Sequence, residues 1–226
     1  MNRALFVAAA LVLAACQPDA APPPAAAPVP APPAPPEPAE PAPQAPPPAE
    51  QASDDWRKYA KPEDADRLAR LDGAWEKARE AVRGKGQAAE LARLGALADP
   101  SVALPNPHPA PGAYRCRTVK LGLRAGLIAY PFFRCEVELT PGGDLILRKL
   151  TGSQRTEGML YPGEGDGLVY LGGQAWGMDE AAASRYGADP MRDQIGRWER
   201  IGEQRWRLAL PWPRVDSDLD LMEIVR

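Results

Sequence analysis

The sequence of 226 residues holds one histidine, His108. A single imidazole excludes a histidine-rich metal centre and leaves general acid–base work at neutral pH to carboxylates. A membrane-spanning run is missing too. The leader stretch 4–15 is 12 apolar residues, short of the ~20 that cross a bilayer. Basic excess is absent. The chain carries Lys+Arg 27 against Asp+Glu 30, and setting aside Arg3, Asp19, Glu37, Glu40 and Glu50 leaves 26 of each sign from residue 53 onward. A neutral domain argues against nucleic acid or an anionic membrane face as partner. Residues 17–51 contain no Gly, Lys or Arg and almost no large apolar side chain, yet hold sixteen of the 28 prolines. A stretch that buries so little cannot offset its ordering entropy.

What is present begins with Arg3, the apolar run and Leu13-Ala14-Ala15-Cys16. This pattern resembles the bacterial lipobox. The resemblance implies a signal peptide over 1–15, cleavage before Cys16 and a diacylglycerol on its sulfur, and several acyl chains on one residue suffice for stable anchoring. Gln17 stands where Asp would signal inner-membrane retention, so the resemblance points to the outer membrane. Residues 16–52 then form the lipidated Cys and a disordered Pro/Ala-rich tether. Proline fixes φ and removes donors, which favours polyproline II. At ~3.1 Å per residue such a tether reaches roughly 110 Å when fully extended.

The remainder, 53–226, suits one core. Asp54 or Asp55 can cap a short turn through Trp56 and Tyr59, and Pro62 suits the first turn of a helix with Glu63 and Asp64 beside it. Leu68, Leu71, Trp75, Ala78 and Val82 make one helical face ended by Gly84 and Gly86; Leu91, Leu94, Leu97 and Ala98 make a second, ended by Asp99-Pro100. These predict a helical segment over 53–103. Residues 104–112 hold four prolines and form a loop with His108 exposed inside it. From 113 the texture changes to eight β-type runs, 113–120, 130–139, 144–150, 153–161, 167–171, 194–201, 205–210 and 219–225. Pairing around Gly142 sets Leu139 opposite Leu145, Val137 opposite Leu147 and Glu136 opposite Arg148, a register in which apolar contacts and charge pairs agree. In the seventh run Trp206, Leu208 and Leu210 face one way and Arg205, Arg207 and Ala209 the other. The fold expected is α+β, mainly β: a helical hairpin packed on an antiparallel up-and-down sheet or a small eight-stranded barrel, with 104–226 as the β part of one globular unit with 53–103.

With Cys16 lipidated, Cys116 and Cys135 remain, and a hairpin of the first two runs sets them directly across from each other as a structural disulfide. No G-x-S-x-G or C-x-x-C occurs. Lys149 and Ser153 have Ser–Lys spacing but sit on a strand and turn. Asp216, Asp218 and Asp220 alternate like the start of a Ca²⁺ loop, but Leu221 takes the obligatory Gly position, so an exposed strand face is expected and no metal or cofactor. Glu157, Glu164 and Asp166 are acids near turns that glycoside chemistry would need to bring together. Two polar segments, 151–158 and 186–193, either line a cleft or satisfy turn backbone. Their candidate binding residues are Ser153, Gln154, Arg155, Glu157, Asp189, Arg192 and Asp193.

The stretches Gly112-Ala113-Tyr114-Arg115-Cys116, Tyr130-Pro131-Phe132-Phe133-Arg134-Cys135, 149–158, 186–193 and 205–213 together resemble domain of unknown function family 4893, found in proteobacterial secreted proteins or lipoproteins. That resemblance brings no activity and no catalytic residues. Gly112-Ala113-Tyr114 also stands where calycin barrels often open with G-x-W, a likeness of fold alone, with Tyr in place of Trp. The function expected is an outer-membrane lipoprotein whose periplasmic domain binds a ligand or protein partner without catalysis and touches the membrane only through its lipid. The alternatives are a carboxylate- or Ser-based hydrolase of an envelope polymer or lipid, and a scaffold subunit of an envelope complex.

Overall fold

Short runs of alternating apolar residues cannot bury one face alone, and here they close on one another. The computed structural model describes residues 55–122 and 126–226, so the expected signal peptide and tether lie outside the described residues. Among the described residues nine strands are present: β1 (Gly112–Gly122), β2 (Gly126–Ala129), β3 (Phe133–Leu139), β4 (Leu145–Lys149), β5 (Thr156–Pro162), β6 (Gly167–Gln174), β7 (Asp193–Gly202), β8 (Arg205–Pro211) and β9 (Leu219–Val225). From β3 to β9 each pairs antiparallel with the next, and β1 bridges β3 and β9. That closes an eight-stranded barrel, the second of the two expected arrangements, and closure leaves its strands without a free edge. The eight expected runs are its eight strands. The extra strand β2 pairs on the C-terminal half of β1. Its four residues are too few to show alternation. The second run starts three residues later than expected, at Phe133, because Pro131 has no N–H for the ladder.

The β3–β4 register is the expected one, with Leu139 opposite Leu145, Val137 opposite Leu147 and Glu136 opposite Arg148. The barrel interior is filled by side chains that include Val137, Leu147, Tyr170, Trp198, Leu208 and Ile224. Burying them provides the main drive for folding.

The helical segment covers the outside. Asp55 accepts from the Arg57 N–H at 3.1 Å and caps a 3₁₀ turn over Trp56–Lys58. Helix α1 (Pro62–Ala69) begins at the expected proline, and α2 (Leu71–Gly84) follows after a break at Arg70. One continuous face from Leu68 to Val82 was the expectation. Leu68 instead packs with Trp56, Val169, Leu171 and Ile195, whereas Trp75, Ala78 and Val82 pack on Val119, Ala209, Leu219 and Leu221. The two helices cover different strands of a curved surface, which a single straight rod cannot follow. The Trp212 indole donates at 3.1 Å to the Arg70 carbonyl, which also accepts from the Ala74 N–H, and so ties the break to the barrel. Gly86 turns the chain with φ 72°, and α3 (Ala88–Arg93) leads into a 3₁₀ turn over Gly95–Ala98. Because α2 lies on them, β8 and β9 are buried on both faces.

One end of the barrel is stoppered by the proline-rich loop. The Pro107 carbonyl accepts from the Trp198 indole at 2.9 Å and the Ala110 carbonyl from the Tyr114 hydroxyl at 2.6 Å; both side chains rise from the interior. Pro109 is buried in this stopper and His108 is exposed on it.

Candidate functional site

The opposite end of the barrel is polar. In the register Lys120 faces Asp220, Leu210 faces Asp220, Gly172 faces Gln194 and Thr156 faces Gln174, all on the inward side. Lys120, Lys149, Thr156 and Asp220 are each buried there. They sit above the apolar core and beneath three connections, 150–155, 175–192 and 212–218. A cavity of about 170 Å³ opens between them, lined among others by Lys120, Gln174, Gln194, Arg192, Leu210 and Asp220. That is close to the roughly 150 Å³ in which a benzene ring fits, and the mouth of a barrel is a common place for a ligand.

Burial pushes the Asp220 carboxyl up to about 6, against the opposing pull of Lys120 and of the Ser217 hydroxyl, which donates to it at 2.5 Å. Lys120 lies 3.8 Å from both Asp220 and Asp216. Burial lowers the Lys149 ammonium to about 8, and the nearby charges of Arg155 and Lys120 add to the shift. Its Nζ donates to the Gln154 carbonyl at 2.6 Å and stands 4.4 Å from the Phe133 ring centre. Thr156 Oγ1 meets the Tyr170 hydroxyl at 2.6 Å, the Gly173 carbonyl at 3.0 Å and the Gln194 amide oxygen. Burial raises the Tyr170 phenol well above its ordinary value, so it stays a neutral hydrogen-bonding group.

The 175–192 connection has its own framework. Glu180 accepts from the Trp176 and Gly177 backbone N–H groups at 2.8 and 2.9 Å and from Arg192, and these bonds hold its carboxyl down at about 2. Arg192 also lies over the Trp176 ring, 4.8 Å from its centre. On the neighbouring loop, Arg155 donates to the carbonyls of Gly152 and Glu180. The connection is thereby fixed beside the mouth.

A pH dependence follows from Asp220. A carboxyl whose folded pKa lies above its unfolded value of about 3.9 stabilises the fold fully below that lower value, and the contribution is lost as pH rises through about 6. This residue should therefore add stability as pH falls from about 7 to about 5. Asp220→Asn should remove that part of the slope, measured by urea unfolding at a series of pH values.

Of the residues expected to bind, Gln154, Arg192 and Asp193 do meet at the mouth. Asp193 is occupied there: its carboxylate takes the Lys61 ammonium and the Gly187 N–H, each at 2.8 Å. Arg155 ties two loops together. Ser153 is exposed, while Lys149 donates elsewhere, so the Ser–Lys spacing builds no dyad. Glu157 lies away from the mouth and pairs with Arg148 at 2.9 Å. Asp189 accepts from the Met191 N–H and pairs with Arg192, a turn role. Glu164 and Asp166 are exposed at the far end of the β5–β6 hairpin from Glu157, so these three acids do not converge. Asp216, Asp218 and Asp220 correct the expectation of an exposed strand face. Only Asp216 is exposed; Asp218 is buried under α2, 3.0 Å from Lys77, and Asp220 points into the barrel. Among the described residues no three His, Cys, Asp or Glu side chains are grouped to hold a metal. Lys120, Gln174 and Gln194 were missed, and Lys149 was noted only for its spacing to Ser153. The signal was available in part: Gln174 ends an otherwise apolar strand, whereas Lys120, Lys149 and Gln194 stand among other polar residues of β1, β4 and β7.

Comparison with known proteins gives one finding on the whole domain. The profile of a family described as "Domain of unknown function (DUF4893)" matches residues 56–224. No curated protein and no solved structure matches the chain.

Proposed function

We propose that this chain, which belongs to the DUF4893 family, is a lipid-anchored envelope protein whose barrel binds a small ligand at its mouth without turning it over. The observation that carries the reading is the asymmetry of the barrel: a proline-rich stopper hydrogen-bonded into one end, and a polar-lined cavity at the other. A fold that needed only a core would fill both ends with apolar side chains, since a buried ammonium or carboxylate is costly to desolvate. The leader motif ending in Cys16 supports an outer-membrane anchor, and the proline-rich tether after it supports a domain held out into the periplasm. The absence of charge excess from residue 53 onward supports contact with the membrane through the lipid alone and no nucleic-acid partner.

A scaffold role has its own observation. Ile128, Tyr130 and Phe132 are partly exposed along and just beyond β2, and Arg115 and Arg117 stand 5.2 and 5.0 Å from the Phe132 ring centre. An aromatic and arginine-rich patch suits a protein partner.

Both halves of the reading are tested on the exported chain. Cys16→Ser should lose lipid labelling and leave the membrane fraction; unchanged membrane attachment would sink the anchor. In solution, a panel of small neutral, cationic and anionic solutes should shift the indole N–H resonance of Trp176, which donates to Gln174 at 3.2 Å. The Trp198 resonance at the stopper should hold still. A panel that leaves Trp176 unmoved sinks ligand binding at the mouth.

A further inference from the structure

One cation at the mouth is left without a close partner. Arg67, Lys120, Arg192 and Arg214 line the cavity with Asp193 and Asp220, and Arg67 and Arg214 are paired with Asp64 and Arg192 with Glu180 and Asp189. Asp193 is taken by Lys61 and the Gly187 N–H, so it offers little to a ligand. Lys120 is only 7% exposed, and its two acidic neighbours stand at 3.8 Å. That is beyond hydrogen-bond distance for an ammonium with three donors. A buried cation with unfilled donors is poorly compensated for its lost hydration.

The amides on β6 and β7 are oriented. The Gln174 side-chain oxygen accepts from the Trp176 indole, and the Gln194 side-chain oxygen is in contact with the Thr156 hydroxyl. The Gln174 oxygen is thereby occupied and its NH₂ donors are left to offer; the Gln194 oxygen shares the single Thr156 proton with the Gly173 carbonyl, and its NH₂ group is its other polar end. Ile195, Leu210, Pro211 and Val215 supply apolar lining. Lys120 on β1 and Gln174 on β6 reach the cavity from opposite walls, with Leu210 on β8 and Gln194 on β7 between them, and donors converging on about 170 Å³ of room suit a carboxylate on a small ring or short branched chain. A long acyl chain or a sugar oligomer has no space there.

We propose that the mouth is a site for a small organic carboxylate of about the size of benzoate, its oxygens held by the Lys120 ammonium and the amide N–H groups of Gln174 and Gln194. This rests on the ligand-binding reading above and names the chemical class of the ligand.

Calorimetric titration of the full chain with benzoate, benzamide, benzylamine and inorganic phosphate tests it, with the Trp176 indole resonance reporting the place. Benzoate should bind and move Trp176, with benzamide at least about tenfold weaker, as the loss of a charge-assisted hydrogen bond predicts. Lys120→Met should weaken benzoate by about tenfold or more. Because that variant strands Asp220, the pair Lys120→Met with Asp220→Asn is measured beside it and should lose benzoate equally while keeping the wild-type near-UV spectrum. Arg115→Met, on the outside of the barrel, should leave binding unchanged. Benzamide or benzylamine matching benzoate at Trp176 overturns the carboxylate assignment and leaves ligand binding standing. Phosphate binding in preference to benzoate overturns the organic class. Undiminished benzoate affinity in both Lys120 variants removes Lys120 from the site. If no solute moves Trp176, this inference and the ligand-binding reading fall together.

Discussion

Arg207→Ala should destabilise the protein by about 3–5 kcal/mol, the range for breaking one side of a buried ion pair. Arg207 is fully buried between β8 and the helical segment. Its guanidinium reaches Glu199 at 2.5 and 3.1 Å, and it donates to the carbonyls of Ala96, Asp99 and Val102 at 3.1, 2.6 and 3.1 Å. It also stands 5.2 Å from the centre of the Trp75 ring. The Ala96 carbonyl lies in the 3₁₀ turn that ends the helical segment, and those of Asp99 and Val102 in the chain just after it, where helical N–H groups run out. One planar cation therefore satisfies a helix end, a carboxylate and an aromatic face together. Truncation leaves Glu199 with Arg197 alone, at 3.1 Å, and takes from the Val102 carbonyl the side-chain donor that holds it. For a domain of this size the midpoint should fall by about 6–20 °C. Arg207→Lys should not restore it, because a single ammonium cannot span the acceptors that the guanidinium fork reaches. Arg207→Met combined with Glu199→Leu should lose less than Arg207→Ala, since no charge is then stranded. Thermal and urea melts followed by near-UV circular dichroism measure all three. A loss below about 1 kcal/mol in Arg207→Ala would mean that the helical segment is held to the barrel by its apolar face alone.

Arg207 also shows what could be read beforehand. Alternation in β8 correctly sends Trp206, Leu208 and Leu210 one way and Arg207 the other. It says nothing of what lies over the second face, so the covering by α2 and its terminal turn had to come from the structure. The strands and their antiparallel order were legible because each strand and hairpin turn is a local pattern, and the β3–β4 register because apolar and charged pairs demand the same alignment; closure, which the sequence left open between sheet and barrel, rests on the β1–β9 pairing. The mouth was not. Lys120, Gln174, Gln194 and Asp220 lie on four strands and meet only when β9 closes on β1. The polar segments singled out instead, 151–158 and 186–193, are where loops carry dense hydrogen bonding. Part of that polarity fixes the loops themselves, as with Arg155 and Asp189, and part reaches the cavity, as with Gln154 and Arg192. Density of polar residues marked the right end of the barrel. It could not distinguish the groups that hold the rim from those that face the cavity.

The second large effect is expected at the disulfide. Cys116 and Cys135 are bonded, with Cα atoms 5.8 Å apart and a sequence separation of 19. The expectation of directly opposed cysteines needs one correction. The register sets Cys116 against Phe133 and Cys135 against Tyr114, so the bridge runs diagonally, between neighbours two positions apart on the inward face. This follows from how β1 divides its partners. Residues Gly112 to Cys116 pair with β3, and Val119 to Gly122 pair with β2. Cys116 is therefore the last residue of β1 on the β3 ladder, and the bridge clamps the point where the two strands part. Cys116→Ala with Cys135→Ala should lower stability by about 3 kcal/mol on the chain-entropy estimate for a loop of this length. Both sulfurs are buried, so lost packing adds to that figure. Peptide mapping without reductant should recover the two cysteines as one cross-linked species, and two free thiols would rule the bridge out. The position of the clamp predicts more than a uniform loss. With the bridge gone, the β1–β3 seam should open ahead of the rest of the barrel, and amide hydrogen exchange should accelerate in β3 more than in β8, which is paired along its length on both sides. Equal acceleration in the two strands would show that the bridge acts on the unfolded chain alone and that the seam is secured by its own ladder.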